Sequence, residues 1–431
     1  MVAGPVTGAE GDEQTGRDAP DLQAWPEFGI PAQRAEEAPR DQGAQQREAV
    51  EFGAVPLAAP VLEPAPAIAD FEPAADAVAQ PEAERPRVLR SIRSHRSRMR
   101  RQTSNGVIVL ACLAVIFLVL HRFLPDVGGL GSLLETWLPW IGVPILLLIV
   151  IAAIVHTKRA LAATLAAALV WTALYGPTLL PRGSSATQQL RIFSEDVNGN
   201  AQEATASGTM ALAQHADIVA LEDMYSSVSA TNAVNALNSA YANHTAEYEF
   251  GLWSTYPILS AQPIALGTTQ TAQSLSLGAD EAGLASSASS GAPIIGALKA
   301  VLSTPAGQLT VYLVHLPQPV LGDQGFAKAR DQALTKFAEL VKADQATRIA
   351  VIGDVNVAAT DRQFSQLTGA DALTSAQQAA GSGFGFTWPA EFPVVRLDDV
   401  LTRGLKPLRS VVLPAIAQGQ THLPIQVDLD Y

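Results

Sequence analysis

Three unbroken apolar runs follow one another in the first half of this chain: Val107–Leu120, about Trp137–Val155, and Leu161–Leu174. With their flanks, each approaches the roughly 20 residues a helix needs to cross a bilayer. The first and third are short, and a buried core helix would also fit them. Their close spacing favours the membrane, as do Trp137, Trp140, Trp171 and Tyr175 near their ends, because amphipathic rings settle at the lipid–water boundary. Residues 103–180 are therefore expected to form three transmembrane helices.

The spans divide the charge. Of the 431 residues, the stretch 1–84 holds 17 Asp/Glu against 4 Arg and no Lys, and it is rich in Ala, Pro and Gln without sustained periodicity. It cannot bury enough apolar surface to offset its ordering entropy, so a disordered acidic tail is expected. A short binding motif at Trp25–Phe28 is open beside the reading that a lone aromatic pair does nothing. The sign then reverses: residues 85–102 form a basic juxtamembrane segment with eight Arg up to Arg101 and no acid. A nucleic-acid arm is one reading of such a run, but its place just before the first span favours a positive-inside anchor. Lys158 and Arg159 mark the second loop as lying on that same side. The expected topology has the N-terminus in the cytoplasm and everything after about Leu180 outside, in a multi-pass plasma-membrane protein. The first residues lack the basic and apolar regions of a cleavable signal peptide, so the first span would act as an uncleaved anchor. The single cysteine, Cys112, falls inside that span, so a disulfide-free outer domain is expected.

Residues 181–431 carry 22 Asp/Glu against 13 Lys/Arg, the wrong sign for gripping polyanionic duplex, so nucleic acid is disfavoured as a partner. Strand and helix patterns alternate. Strands are expected at Leu190–Ser194, Asp217–Leu221, Gly307–His315 and Ile425–Leu429, and helices near Gln202–His215 and Phe326–Lys342. Ser260–Ala292 reads as an irregular insertion. The helix at Phe326–Lys342 carries Arg330 along its apolar stripe. That placement suggests a specific partner inside, with snorkelling to the surface as the alternative. The run Arg348–Asn356 is apolar to Ile352 and then ends in Gly-Asp-Val-Asn. A buried strand delivering polar groups to a sheet rim looks like this, and so does a strand entering an Asx turn. Asp354 and Asn356, two residues apart, share one side of an extended chain, where such a pair can orient a water and hold a phosphoryl oxygen.

The ordered series LRIFSEDVNGN, DIVALED, GLWSTYPI, VYLVHLP, the Arg330 helix, IAVIGDVN, TWP, RLDDVL and THLPIQVDL resembles the endonuclease/exonuclease/phosphatase superfamily over nearly the whole of 181–431. The preceding spans resemble its membrane-anchored branch, which includes VanJ-like proteins of bacterial envelopes. The resemblance implies a DNase I-like α/β (α+β) fold, a four-layer sandwich of two packed mixed β-sheets flanked by helices. It also implies hydrolysis of phosphate esters with Mg²⁺ or Mn²⁺. By the same resemblance Asp354 is the water-activating carboxylate, Asn356 the amide that positions phosphate, His422 the essential late histidine, and Asp398 the group that orients it. His315 contacts phosphate, Arg330 binds substrate, and Asp223, Asp196 and Asn198 supply the metal site.

Three departures matter. Asp196 stands where the family has Asn, the pair Glu222-Asp223 stands for Gln-Glu, and Thr421 replaces the Asp before His422. An Asp in place of Glu shortens a ligand by one methylene, which Mg²⁺ coordination tolerates poorly. On this reading Glu222 could stand in for Asp223 only through a slip of strand register, which would flip its face. The expected activity is a membrane-anchored, metal-dependent phosphoesterase acting on a phosphomonoester, a phosphodiester or a lipid-linked (pyro)phosphate. The expected partners are the lipid bilayer and a phosphorylated small-molecule or lipid-linked substrate. A catalytically impaired binding or scaffold domain is the alternative. The topology has a direct test: a reporter fused after Tyr431 should be active only outside the cytoplasm and one fused at Met1 only inside, and activity of the C-terminal fusion in the cytoplasm would reverse the orientation.

Overall fold

A computed structural model describes residues 85–224, 227–268, 293–322, 325–369 and 372–431. The acidic tail 1–84 with Trp25–Phe28 lies outside the described residues, as do positions 269–292 of the expected insertion. Helix α1, Arg85–Leu120, takes in the basic segment and the first apolar run without a break. At 1.5 Å per residue its 36 residues reach about 54 Å, far beyond a hydrocarbon core of about 30 Å. The arginines all precede the apolar run Val107–Leu120 along the helix. A short helix α2 (Leu130–Thr136) leads to α3 (Gly142–Val155) and α4 (Lys158–Leu179). Among the described residues, three helices are long and apolar enough to cross a membrane, and the runs that look short in sequence are the cores of longer ones. Small residues let them close up: Ala111, Ala152, Ala160 and Ala167 are buried between them beside Val107, Leu118 and Ile145.

The C-terminal domain is the four-layer sandwich. Its first sheet is built on β1 (Leu190–Asp196) and β2 (Ile218–Glu222), which are parallel. With β3 (Asn243–Glu247), β4 (Phe250–Ser254), β13 (Lys406–Val412) and β14 (Ile425–Asp430), it runs β13-β14-β1-β2-β4-β3. The second is built on β7 (Gly307–His315) and β10 (Ile349–Asp354), also parallel. With β5 (Ile258–Thr268), β6 (Pro293–Thr304), β11 (Thr374–Ser375) and β12 (Asp398–Arg403), it runs β11-β12-β10-β7-β6-β5. A small hairpin of β8 (Leu321–Gly322) and β9 (Gly325–Phe326) stands apart from both sheets.

Side-chain alternation sorts each strand into two layers. Leu309, Val311 and Leu313 of β7, with Ala350 and Ile352 of β10, meet Ile192, Ile218 and Val427 between the sheets. Tyr312, Val314 and Val351 face outward onto Leu334, Phe337 and Val341 of a helix at Lys328–Ala343, here α7. On the opposite outside, Phe193, Val219 and Trp253 pack against α5 (Ala201–Ala213) and α6 (Ser227–Leu237). One expectation fails: Ser260–Ala292 is not irregular from its start. Ile258–Thr268 is a strand paired antiparallel with β6, from Ile258↔Leu302 to Thr268↔Pro293. Its Ser, Gln and Gly content disguises an edge strand, which needs few buried side chains.

The segment between α1 and α3 docks on the domain. Glu135, buried, accepts from Arg362 Nη2 at 2.8 Å and Nε at 3.0 Å, with His121 Nδ1 at 2.8 Å. Ser132 Oγ donates to Asp361, and Trp140 Nε1 donates to the Val394 carbonyl at 2.8 Å. Phe337, fully buried edge-on to Tyr312 with ring centroids 5.8 Å apart, is the centre of the α7 layer. Phe337→Ala should cost about 3–5 kcal/mol in denaturant unfolding; a loss below about 1 kcal/mol would show that α7 does not depend on that contact.

Candidate active site

The polar residues cluster where the parallel strand pairs of both sheets end. Along β10, Ala350 and Ile352 face the space between the sheets, so Asp354 does too, and its register partners are His315 on β7 and Asp398 on β12. Leu190 and Ile192 put Asp196 on the inner face of β1, while Ile218 and Ala220 put Glu222 on that of β2. Gly353 lets these ends meet. Its φ is +126°, and a Cβ there would lie 2.4 Å from the Val314 carbonyl oxygen and 2.7 Å from Glu222 Oε1. His422 arrives on the loop before β14, and its Nδ1–H donates to Asp398 Oδ2 at 2.9 Å. Gln420 steadies that loop by donating to Glu195 Oε1 at 2.6 Å.

Of the residues singled out in sequence, Asp354, Asp398, His422, His315 and Asp196 come together. Candidate ligand atoms of Asp196, His315 and Asp354 lie within 4.8 Å of one another, and so do those of Asp354, Asp398 and His422. His315 Nε2 is 3.9 Å from Asp196 Oδ2. Asp223, just past β2 at φ +55°, is buried and close enough to raise the His315 pKa. Asn356, at φ +48°, directs its side-chain amide to Asp354 Oδ2 at 2.6 Å and the Leu316 carbonyl at 2.7 Å, and its backbone N–H to Asp354 Oδ1 at 2.7 Å. Its donors therefore fix Asp354. Asn198 is exposed and meets Asp196 through its backbone N–H at 2.8 Å.

Arg330 is not at the rim. It is 1% exposed, with Nη1 on the Asn356 carbonyl at 3.1 Å, Nη2 on Ser132 Oγ at 2.8 Å, and Asp331 and Asp361 beside it. The inside partner that its place on an apolar stripe suggests is the backbone next to Asp354, so it holds the site from behind.

Two members are missed by sequence reasoning. Glu222 faces the site with no slip of register; the alternation Ile218, Ala220, Glu222 carries that signal, whereas the family pattern points to the residue after it. Glu249, in the β3–β4 turn, lies 3.5 Å from His315 Nδ1, and only the fold brings it there.

The charges are crowded and dry. Burial raises Asp354 most, Asp398 and Asp196 add to it, and the two imidazoliums hold it back, leaving it at about 7. Burial, then Asp196 and Asp398, push Glu222 well above the usual carboxylate range. Burial disfavours the His422 imidazolium, yet Asp398, Asp354 and Asp196 outweigh it and hold His422 at about 10. His315 is likewise raised against burial by Glu249, Asp196 and Asp223. Carboxylate oxygens outnumber the cations, and Glu222 Oε2 and Asp398 Oδ1 are buried without a hydrogen-bond partner among the described residues. An oxygen-rich set with unspent acceptors suits a hard divalent cation such as Mg²⁺ or Mn²⁺.

Residues 193–418 match the model of the Endonuclease/Exonuclease/phosphatase family. Among solved structures, sphingomyelinase C from Streptomyces griseocarneus is 15% identical, with a TM-score of 0.41 over 56% of this chain and 99% of that one. A mutant beta toxin from Staphylococcus aureus with bound magnesium ions is 12% identical, with a TM-score of 0.40 over 56% and 99%. A mannosyl-6-phosphatase from Bacteroides thetaiotaomicron is 12% identical, with a TM-score of 0.39 over 56% and 100%. A search of curated proteins gives no match.

The raised carboxylates set a pH signature. Asp354 titrates near 7 when folded against an ordinary 3.8, so its protonated form favours the native state. That contribution is complete below about 3.8 and lost as pH rises through 7. Glu222, raised in the same way, must also give up its proton to hold a divalent cation, so millimolar Mg²⁺ or Mn²⁺ should raise the melting temperature at pH 8 and much less at pH 5. At about one hundred times Kd the gain is about 2.7 kcal/mol. Equal shifts at both pH values would place the cation elsewhere.

Proposed function

The chain belongs to the endonuclease/exonuclease/phosphatase family, and on that premise we propose that it is a membrane-anchored, metal-dependent phosphoesterase. The observation that supports this best is the convergence of Asp354, Asp398–His422, His315, Asp196 and Glu222 on one buried rim. A divalent cation would be held by Asp196 and Glu222, with Asp223 beside them, and when bound would neutralise charge on the phosphoryl oxygens. Asp354, titrating near neutrality and fixed by two bonds from Asn356, is placed to take the proton of an attacking water. His422, charged and oriented by Asp398, is placed to stabilise a phosphoryl oxygen or protonate the leaving group. His315, held between Asp196 and Glu249, offers a second cation to the phosphate.

The proposed substrate is a phosphomonoester, a phosphodiester or a lipid-linked (pyro)phosphate at the cell envelope, reached from the extracytoplasmic side. Three apolar helices next to the domain support a substrate at the bilayer surface. The acidic balance of 181–431 weighs against nucleic acid. Thr421 in place of the family's Asp, and the positive-φ turn at Asp223, favour a second reading, a binding or scaffold domain that keeps the polar network.

One substitution separates the readings. Asp354→Asn should lower hydrolysis of a bis-aryl phosphate diester by about 10²–10⁴-fold, with the far-ultraviolet circular dichroism spectrum retained. Unchanged activity would remove Asp354 from the mechanism. A wild-type protein that neither binds Mg²⁺ or Mn²⁺ at millimolar concentration nor turns over the ester would establish the second reading.

A further inference from the structure

A cavity of about 430 Å³ lies where α3 and α4 meet the C-terminal domain. Trp140, Leu146, Ile149 and Trp171 wall it from the helical side, and Phe384 and Phe386 from the domain. Its volume is that of sites that take small molecules, roughly 300–1,000 Å³. Its chemistry is narrow. Both indole N–H groups in the wall are already bonded, Trp140 to the Val394 carbonyl at 2.8 Å and Trp171 to the Pro139 carbonyl at 2.9 Å. Among the described residues, the Thr172 hydroxyl is the one other side-chain polar group in the lining. A sugar, nucleotide or headgroup would lose its water there and gain almost nothing in return. Hydrocarbon loses nothing.

The cavity opens along Val143 and Leu146, which are 59% and 63% exposed on helices suited to a membrane. Its roof is a dedicated feature of the loop after the short helix Ala376–Ala380. Gly383 and Gly385 have φ of +72° and +66°, and a Cβ on Gly385 would lie 2.5 Å from the Gln377 side chain. The glycines allow the chain to present two phenyl rings, two residues apart, stacked with centroids 5.2 Å apart. Phe386 stacks on Trp140 at 5.8 Å, and Phe384 meets Trp171 edge-on at 6.5 Å.

The same loop reaches the rim of the site. Phe386 adjoins Thr387, which is fully buried. Thr387 Oγ1 accepts from the backbone N–H groups of Leu397 at 3.1 Å and Asp398 at 3.4 Å, and its carbonyl accepts from Leu423 N at 2.9 Å. One residue from the cavity wall, the chain therefore braces the segments that bear Asp398 and His422.

We propose that this cavity takes the hydrocarbon chain of a membrane-resident phosphate ester whose phosphate lies at the Asp354–Asp398–His422 rim. The assignment rests on the phosphoesterase reading for its headgroup and on the cavity alone for its tail.

The test uses the full chain in phosphatidylcholine nanodiscs. Hexadecyl phosphate with a diazirine in mid-chain should label α3, α4 and the Phe384–Phe386 loop, and unlabelled hexadecyl phosphate should compete. The p-nitrophenyl esters of hexadecyl phosphate and ethyl phosphate share a scissile bond, so the ratio of their kcat/KM values reports the tail. Leu146→Trp, which fills the groove from its lipid side, should lower that ratio about tenfold or more. Thr172→Trp, filling it from α4, should do the same if Leu146→Trp fails to assemble. Labelling confined to the cavity with neither ester hydrolysed would sink the hydrolase reading and leave the cavity assignment standing. Two outcomes overturn the cavity while sparing the hydrolase: label scattered over the lipid-facing helices, or a ratio indifferent to both fillings. Labelling that hexadecyl phosphate cannot displace would mean a resident bilayer lipid, and would overturn the assignment as well.

Discussion

β10 is buried on both faces, and the rest of the site follows from that constraint. Ile349 and Val351 are fixed by α7, Ala350 and Ile352 by the opposing sheet, so the strand can neither rotate nor slip without exposing one set or the other. Asp354 inherits that fixity as the next inner position. Its parallel partner brings His315 and its antiparallel partner brings Asp398, so three ionisable groups are aligned by backbone hydrogen bonds alone. The packing of a hydrocarbon core sets the spacing of charges at its edge.

Those charges would not stay together by themselves. Asp196, Glu222, Asp354 and Asp398 are buried together, and burial with their mutual proximity raises Glu222 and Asp354 beside two raised histidines. A network held in this condition is a functional candidate on physical grounds, because a purely structural cluster would be expected to satisfy each acceptor. Glu222 and Asp398 each keep one oxygen unspent among the described residues. One of the three departures from the family pattern has a carboxylate beside it: where the turn at Asp223 leaves the strand, Glu222 faces inward one position earlier.

How much of this was readable in advance depends on the range of the signal. Strand β7 has its expected limits, Gly307–His315, because a full apolar alternation is a local property. Asp354 and the Asp398–His422 pair were legible because polar residues ended apolar runs in a recognisable order. For Glu222 the family pattern and simple alternation point to different residues, and alternation gives the right face. Glu249 and the β5–β6 hairpin left little local trace, one being a turn residue met only across the fold and the other an edge strand of ordinary composition. Of the two readings open for Arg330, an inside partner and snorkelling, the structure shows the first: its guanidinium meets the Asn356 carbonyl and Ser132 of α2.

That last contact bears on how the domain can be handled. Cutting the chain near residue 181 to obtain a soluble fragment would remove Ser132 from Arg330 and Asp361, and Glu135 from Arg362. Arg330 would keep Asp331 and Asp361, but it would lose one hydrogen bond and the cover over the guanidinium that holds the Asn356 carbonyl. Truncation would then be a mutation of the site in its own right. The behaviour of such a fragment would report on the missing helices as much as on the chemistry of the site.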